Sequence, residues 1–213
     1  MGAPDREQKP GDVLGAYRLV RPLGSGGSGS AWLAEGAGGE VCVKVLDRAL
    51  SGRSSEVRLI AALDHPHVVR LLDWSPGDAA TPPWLVMPAA RGGTLVDRLA
   101  PERLLVWTRQ LLSALAHAHA RHVLHLDLKP ANVLLASADP DSPVWLADFS
   151  IGQRAGVAGA RESVRGTPGY VAPEQVGRDS PVDARTDLFG LGCTLVRLIT
   201  GRSPRGEAST DPV

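Results

Sequence analysis

Asp127, Lys129 and Asn132 stand within six positions of one another, in the stretch VLHLDLKPANVLL at 123–135. Two apolar runs, Val123-Leu124 and Val133-Leu134-Leu135, flank them. Burying such polar side chains without partners is costly, so their placement asks for a chemical reason. A carboxylate at 127 can accept a proton from an attacking hydroxyl. An amine at 129 can neutralise charge on a group in transfer. A second acid, Asp148, ends the apolar segment Val144-Trp-Leu-Ala. With the amide of Asn132 it offers hard oxygen ligands that suit Mg²⁺. Taken singly, each residue reads as a turn cap, a common use of Asp and Asn.

The glycines come next. Gly24-Ser25-Gly26-Gly27-Ser28-Gly29 fits the spacing G-x-G-x-x-G. Glycine lets backbone amides approach an anionic phosphate closely. A flexible hairpin turn would use the same residues, so the pattern alone decides little. The residues after it discriminate. A dinucleotide site needs a helix directly after the glycines. Here Ala31-Trp-Leu-Ala34 and then Val41–Leu46 come instead, both strand-like, so a dinucleotide-dependent enzyme is set aside. A β-hairpin lid over phosphates fits better. Lys44 stands alone among aliphatics in VCVKVL, and a lysine inside a strand usually points to solvent. Glu56, on the next expected helix, offers it a counter-charge. Buried ion pairs rarely exist for stability alone; under the glycine loop this one would aim the amine at phosphate oxygens. Five ordered polar positions, each set against an apolar strand, favour chemistry over capping.

The elements that must position these residues emerge from periodicity. Tyr17–Leu23, Ala31–Ala34 and Val41–Leu46 read as strands, with further candidates at His67–Trp74 and Trp84–Met87. Ser54 or Ser55 can cap a helix running to Leu63, ended by Pro66. Over 101–120, Leu104, Trp107, Leu111, Leu115 and Ala118 recur at steps of three and four, an amphipathic helix. Two short strands lie around 123–135, and a glycine- and arginine-rich segment covers about 150–182. A last helix spans roughly 184–200, with Gly201 as its stop.

Composition bounds the class. The chain has 213 residues, 43% hydrophobic and 22% charged, with Lys plus Arg and Asp plus Glu at 23 each. That is an ordinary globular composition with no global field for nucleic acid or an acidic membrane surface. The two cysteines, Cys42 and Cys193, sit far apart in apolar runs and read as buried thiols of a reducing compartment. No run of about 18 apolar residues exists to span a membrane. The polar start lacks a signal peptide's apolar stretch, and position six is not Ser or Thr, which disfavours myristoylation. A cytoplasmic protein is expected. His117, His119, His122 and His125 crowd together, but spacing of two on a helix puts side chains on opposite faces, so no metal site is expected from them.

Taken together, these motifs give a chain that resembles a protein kinase catalytic domain, of the bacterial Ser/Thr type. The matching stretches are the glycine loop at 24–29, VCVK ending at Lys44, HPHVVRLLD at 65–73, HLDLKPAN at 125–132, DFS at 148–150, GTPGYVAPE at 166–174 and TDLFGLG at 186–192. They occur in family order from residue 14 to about 205. The resemblance implies an α+β, two-lobed fold: a flexible tail at 1–12, a β-rich N lobe with one helix at 13–87, a hinge at 88–93, and a mainly helical C lobe at 94–213, incomplete after the helix at about 184–200. It implies ATP and Mg²⁺ as cofactors and Ser/Thr hydroxyls of a protein as acceptor. Gly24, Ser25, Gly26, Gly27 and Gly29 would cover the ATP phosphates. Lys44, paired with Glu56, would hold the α- and β-phosphates. Asp127 would orient and deprotonate the substrate hydroxyl, Lys129 would contact the γ-phosphate, and Asn132 and Asp148 would hold Mg²⁺. Adenine would bond the carbonyl of Pro88 and the N–H of Ala90, between Ala31, Cys42 and Leu134, with Met87 guarding the pocket behind. A nucleotide-binding pseudokinase or interaction module is the alternative.

Departures from the family pattern carry their own expectations. Leu126 replaces the arginine before the catalytic Asp, so a phosphate on Ser163 or Thr167 would lack its usual partner and activity should not need one. Ser150 replaces a glycine and should restrict flipping of its segment. Only 12 positions separate Lys44 from Glu56, which shortens the connection or the helix between them. Ala131 replaces a glutamate of many relatives, which makes a basic consensus in the substrate less expected. Glu174 would lose the arginine that usually pairs with it from a later helix. An apolar face on the C lobe should then be exposed, for a partner or a second copy to cover.

Overall fold

Short apolar segments between Val13 and Pro88 build six strands into one antiparallel sheet. The structure is a computed structural model, and it describes residues 7–26, 29–47, 57, 60–96, 101–149, 166–176, 180–202 and 204. Contacts divide the chain into two units, Met1–Ala61 with Val69–Ala90, and Ala62–Val68 with Arg91–Val213. In the first unit, β1 (Val13–Leu14), β2 (Tyr17–Gly26), β3 (Gly29–Gly36), β4 (Gly39–Leu46), β5 (Asp73–Ser75) and β6 (Trp84–Pro88) form a sheet in the order β1-β2-β3-β4-β6-β5. Register pairs Trp32 with Val43 and Val43 with Val86, so these share one face. That face, with Leu14, Leu19, Ala34, Val45 and Trp84, is a buried core. Each such side chain contributes roughly 1.5–3 kcal/mol on full burial. Pro22 is accommodated where β2 slips register between Pro22 and Gly24.

Two local expectations change. The glycines at 24, 26 and 29 are not a loop apart from the strands: Gly24 pairs with Ala31, Ser25 with Ser30 and Gly26 with Gly29. Ladder hydrogen bonds need no side chain, so glycines extend the hairpin. Gly29 has φ +131°, and a Cβ there would fall 1.9 Å from the Val45 carbonyl oxygen, so no other residue fits. The strand expected over 67–74 is split. Val68 makes a single bridge to Leu146, and β5 begins only at Asp73. Of the helix expected after Ser54, only Val57, Ile60 and Ala61 are described as helical; Ser54, Ser55 and Glu56 lie outside the described residues.

In the second unit, a 3₁₀ turn (Pro101–Arg103) leads into α1 (Leu104–His119), which buries Trp107, Leu111, Ala114, Leu115 and Ala118. A second 3₁₀ turn (Pro130–Asn132) precedes β7 (Val133–Leu135), paired with β8 (Val144–Leu146). Then come α2 (Pro173–Val176) and α3 (Ala184–Thr200). The last has the bounds that the sequence predicts. Asp183 and Thr186 form a reciprocal cap at its start, and Gly201 ends it in the left-handed region. Leu188, Val196 and Ile199 lie exposed along one side of α3. Glu174, expected to lose its partner, accepts a hydrogen bond from the Thr186 hydroxyl at 2.7 Å instead. No helix among the described residues is long and apolar enough to cross a membrane.

The four clustered histidines go to separate partners. His119 bonds Asp187, His125 bonds the Ala147 carbonyl, and His122 is exposed in a left-handed turn. His117 is half-buried. Its ring centre lies 5.1 Å from that of His65, and its Nε2 is buried with no hydrogen-bond partner among the described residues. His65 lies 3.0 Å from the Ser113 hydroxyl and accepts the His67 N–H, while His67 bonds the Val144 carbonyl. Burial, then the charges of His117, His67 and Arg121, holds His65 below its ordinary value. Burial, then Arg121, does the same to His117, opposed by Asp64.

Folded-state values depressed in this way mean that the unfolded chain binds more protons near and below the ordinary histidine value of about 6.5. The stability from this cluster is therefore present above that pH and lost as pH falls below it. Urea denaturation at pH 7.5 and 5.5 should show a drop for the wild type that a His65→Gln/His117→Gln chain reduces. An unchanged drop would remove the cluster from the account.

Candidate active site

The stretch at 123–135 solves its burial problem by turning its apolar and polar residues to different sides. Val123, Leu124, Leu128, Val133 and Leu135 are buried, whereas Asp127 and Lys129 are half-buried and meet. Lys129 Nζ lies 2.8 Å from Asp127 Oδ2 and 2.5 Å from the Thr167 hydroxyl. That hydroxyl donates to Asp127 Oδ1 at 2.8 Å, closing a triangle. Asn132 Nδ2 donates to the Asp127 carbonyl at 2.8 Å and lies 3.3 Å from Oδ2. Both amide hydrogens are thus spent on Asp127, and Oδ1 is left as the group's acceptor.

A buried frame holds this triangle. The Asp187 carboxylate, on α3, accepts from the backbone N–H of His125 at 2.9 Å and of Leu126 at 2.7 Å. Its Oδ2 also lies 2.7 Å from His119 Nε2. The His125 ring receives the Asp127 N–H at 3.3 Å, bonds the Ala147 carbonyl at 2.8 Å and packs edge-on to Phe149. The Ala147 N–H in turn donates to the Asn132 carbonyl. The backbone before Asp148 and the ring after it are therefore tied to the residues around Asp127. Asp148 itself has φ +65° and Leu126 φ +64°, both in the left-handed region that side chains disfavour. Leu126 is 5% exposed and packs with Leu124 and Val182. An arginine at that position would point its charge into an apolar cluster.

In the first unit, the sheet face opposite the core collects the other predicted residues. Cross-strand register pairs Ala31 with Lys44 and Cys42 with Met87, while Pro88 pairs with Val41. Neighbours opposed in this way share a face. Ala31, Cys42, Lys44 and Met87 are half-buried there. Burial pushes the Cys42 thiol up to about 11, against the Lys44 charge and a bond with the Trp32 backbone, so it presents a neutral wall. A Cβ added at Gly24 or Gly26 would meet no atom within 4 Å, which leaves that backbone open to approach. Gly27 and Glu56 lie outside the described residues, as do Ser150 and Ser163. Leu134, in β7, is half-buried.

The structure thus joins Asp127, Lys129 and Asn132 directly. Thr167 belongs to the same group, although its sequence context suggests only a phosphorylation site or a substrate loop. His125, Asp187 and Gln175 complete the frame. No spacing signal links Asp187 to residues some sixty positions earlier; the family stretch TDLFGLG at 186–192 contains it without assigning it a partner.

Comparison with known proteins gives the family. The protein kinase domain family matches residues 17–212. Serine/threonine-protein kinase pkn2 of Myxococcus xanthus is 36% identical over 210 residues, covering 89% of this chain and 25% of its own length. PknJ of Mycobacterium tuberculosis is 35% identical over 215 residues, covering 93% of this chain and 36% of its own. The DNA damage-responsive kinase RqkA of Deinococcus radiodurans is 37% identical over 220 residues, covering 92% and 31%. The chain therefore spans between 25% and 36% of the length of these relatives. Among solved structures, a double mutant of the Mycobacterium tuberculosis PknI kinase domain matches with a TM-score of 0.72 at 28% identity, covering 93% of this chain and 80% of that one.

The frame is testable at Asp187. Asp187→Asn keeps one acceptor oxygen and presents an NH₂ to donors. Orphaning a buried backbone N–H should lower the unfolding free energy in urea by roughly 1–3 kcal/mol. A loss near zero would mean that these bonds do not hold the stretch.

Proposed function

This chain belongs to the protein kinase domain family, and from that premise we propose that it transfers the γ-phosphoryl group of ATP to Ser or Thr hydroxyls of protein substrates. The observation that carries the reading is the closed contact of Asp127, Lys129, Thr167 and Asn132. Asp127 aligns the acceptor hydroxyl and takes its proton as oxygen bonds to phosphorus and ADP leaves. Lys129, already beside that carboxylate, is placed to offset charge on the transferred group. Thr167 and Asn132 hold the carboxylate in one orientation beforehand, so little reorganisation is left for the reaction.

The donor set fits a magnesium nucleotide. Asn132, with its Nδ2 committed, keeps an amide oxygen as acceptor, and Asp148 adds a carboxylate; both suit a hard cation. Mg²⁺ would supply neutralisation of phosphate charge. The open backbone at Gly24 and Gly26 supports phosphate contact, with Lys44 as the cation for it. Ala31, the neutral thiol of Cys42, Met87, Pro88 and Ala90 supply the adenine contacts in this reading. We also place the chain in the cytoplasm, since Cys42 and Cys193 form no disulfide; a disulfide found in protein isolated from cells would count against that.

Transfer from γ-labelled ATP to a Ser/Thr acceptor protein should fall by about 10²–10⁴-fold in Asp127→Asn, with a comparable loss in Lys44→Met. Equal incorporation in all three chains would reject the enzyme and leave a nucleotide-binding or interaction module. A thermal shift with Mg-ATP would then separate those two. Because Leu126 lies in an apolar cluster, phosphatase-treated protein should keep its activity. Abolition by phosphatase would overturn that expectation.

A further inference from the structure

We propose that Gln175 is a positioning residue for Asp127, holding the peptide bond from which the base hangs. The proposal rests on the reading of Asp127 as the base. Gln175 is 4% exposed, on the single turn of α2, directly after the Ala-Pro-Glu stretch. Nothing in the sequence pattern gives it a task. Its Oε1 accepts the Ala172 N–H at 2.9 Å, which fixes the orientation of the amide. Its Nε2 then donates to the Leu126 carbonyl at 2.8 Å.

That carbonyl matters because of where it sits. The Leu126 C=O and the Asp127 N–H are two ends of one planar peptide. Among the described residues, the N–H end has the 3.3 Å bond to His125 Nδ1 and no other. The C=O end has Gln175, the shorter hold of the two. Leu126 is in the left-handed region, where a leucine does not stay without outside support. Asp187 restrains its N–H, and Gln175 restrains its C=O. Rotation of this peptide would swing the Asp127 carboxylate away from Thr167 and Lys129. The substrate-side loop rests on the same amide. A Cβ at Gly166 would come 3.5 Å from Gln175 Nε2 and 3.3 Å from the Leu126 oxygen. With φ +124° that position needs glycine, and the next residue is the Thr167 that bonds Asp127. One buried amide therefore supports the base and the loop that touches it.

The test uses the whole chain, γ-labelled ATP and a protein acceptor. Gln175→Leu removes both hydrogen bonds at similar volume. Gln175→Glu keeps the acceptor for Ala172 but turns a carboxylate oxygen on the Leu126 carbonyl. Both should lower kcat about tenfold or more while the KM for ATP stays within about twofold, since aim is lost and nucleotide binding is not. The Gln175→Glu chain adds a readout that packing alone would not move. Its buried carboxyl, once protonated, can donate to the Leu126 carbonyl as the amide does. Its activity relative to wild type should therefore rise as pH is lowered from 8 to 6. A kcat within twofold of wild type in both variants overturns the proposal. So does a loss in Gln175→Glu that is flat with pH, which would mark a packing role; this holds even where Gln175→Leu fails to fold. Wild type and Asp127→Asn run alongside separate the two levels. Active wild type, dead Asp127→Asn and unimpaired Gln175 variants sink only the role of Gln175. A wild type no better than Asp127→Asn sinks the reading of the base, and this proposal with it.

Discussion

A carboxylate that is 1% exposed organises the second unit. Asp187 would be prohibitively costly to bury alone. It is tolerated because three donors converge on it, two backbone N–H groups and the ring of His119. The reciprocal cap at Asp183 and Thr186 fixes where α3 begins, and with it the depth at which Asp187 enters. The same Thr186 hydroxyl reaches Glu174, so the start of this helix also anchors α2. A strained backbone at Leu126 persists because it is over-determined from two helices.

What this constraint delivers is an acid oriented before any substrate arrives. Both oxygens of Asp127 are engaged, one by Thr167 and one by Lys129 with Asn132 nearby. A half-satisfied group of this kind would fluctuate among rotamers, whereas a closed one has a single arrangement. The apolar packing of Leu126 against Leu124 and Val182 serves the same end without charge.

The first unit meets its requirement by a different device, the two-residue period of a strand. In β4, Val43 and Val45 enter the core while Cys42 and Lys44 take the other face, so the hydrophobic pattern that folds the sheet also sets the lysine's direction. A one-residue slip would exchange the two sets. Gly24 and Gly26 of the β2–β3 hairpin keep the ladder and leave side-chain space empty.

Local chemistry was enough to read much of this from the chain itself. Short apolar runs between turn residues mark β3, β4 and β6, period 3.6 marks α1, and an apolar run with a terminal glycine marks α3, because these signals act over a few positions. The polar group of Asp127, Lys129 and Asn132 is legible for the same reason. Contacts across long separations are not. Thr167 reaching Asp127, Asp187 under His125 and Leu126, Gln175 on the Leu126 carbonyl, the new partner of Glu174, and the joining of residues 62–68 to the second unit have no local signature. Each depends on where separate elements come to rest, and only close packing of the folded chain decides that.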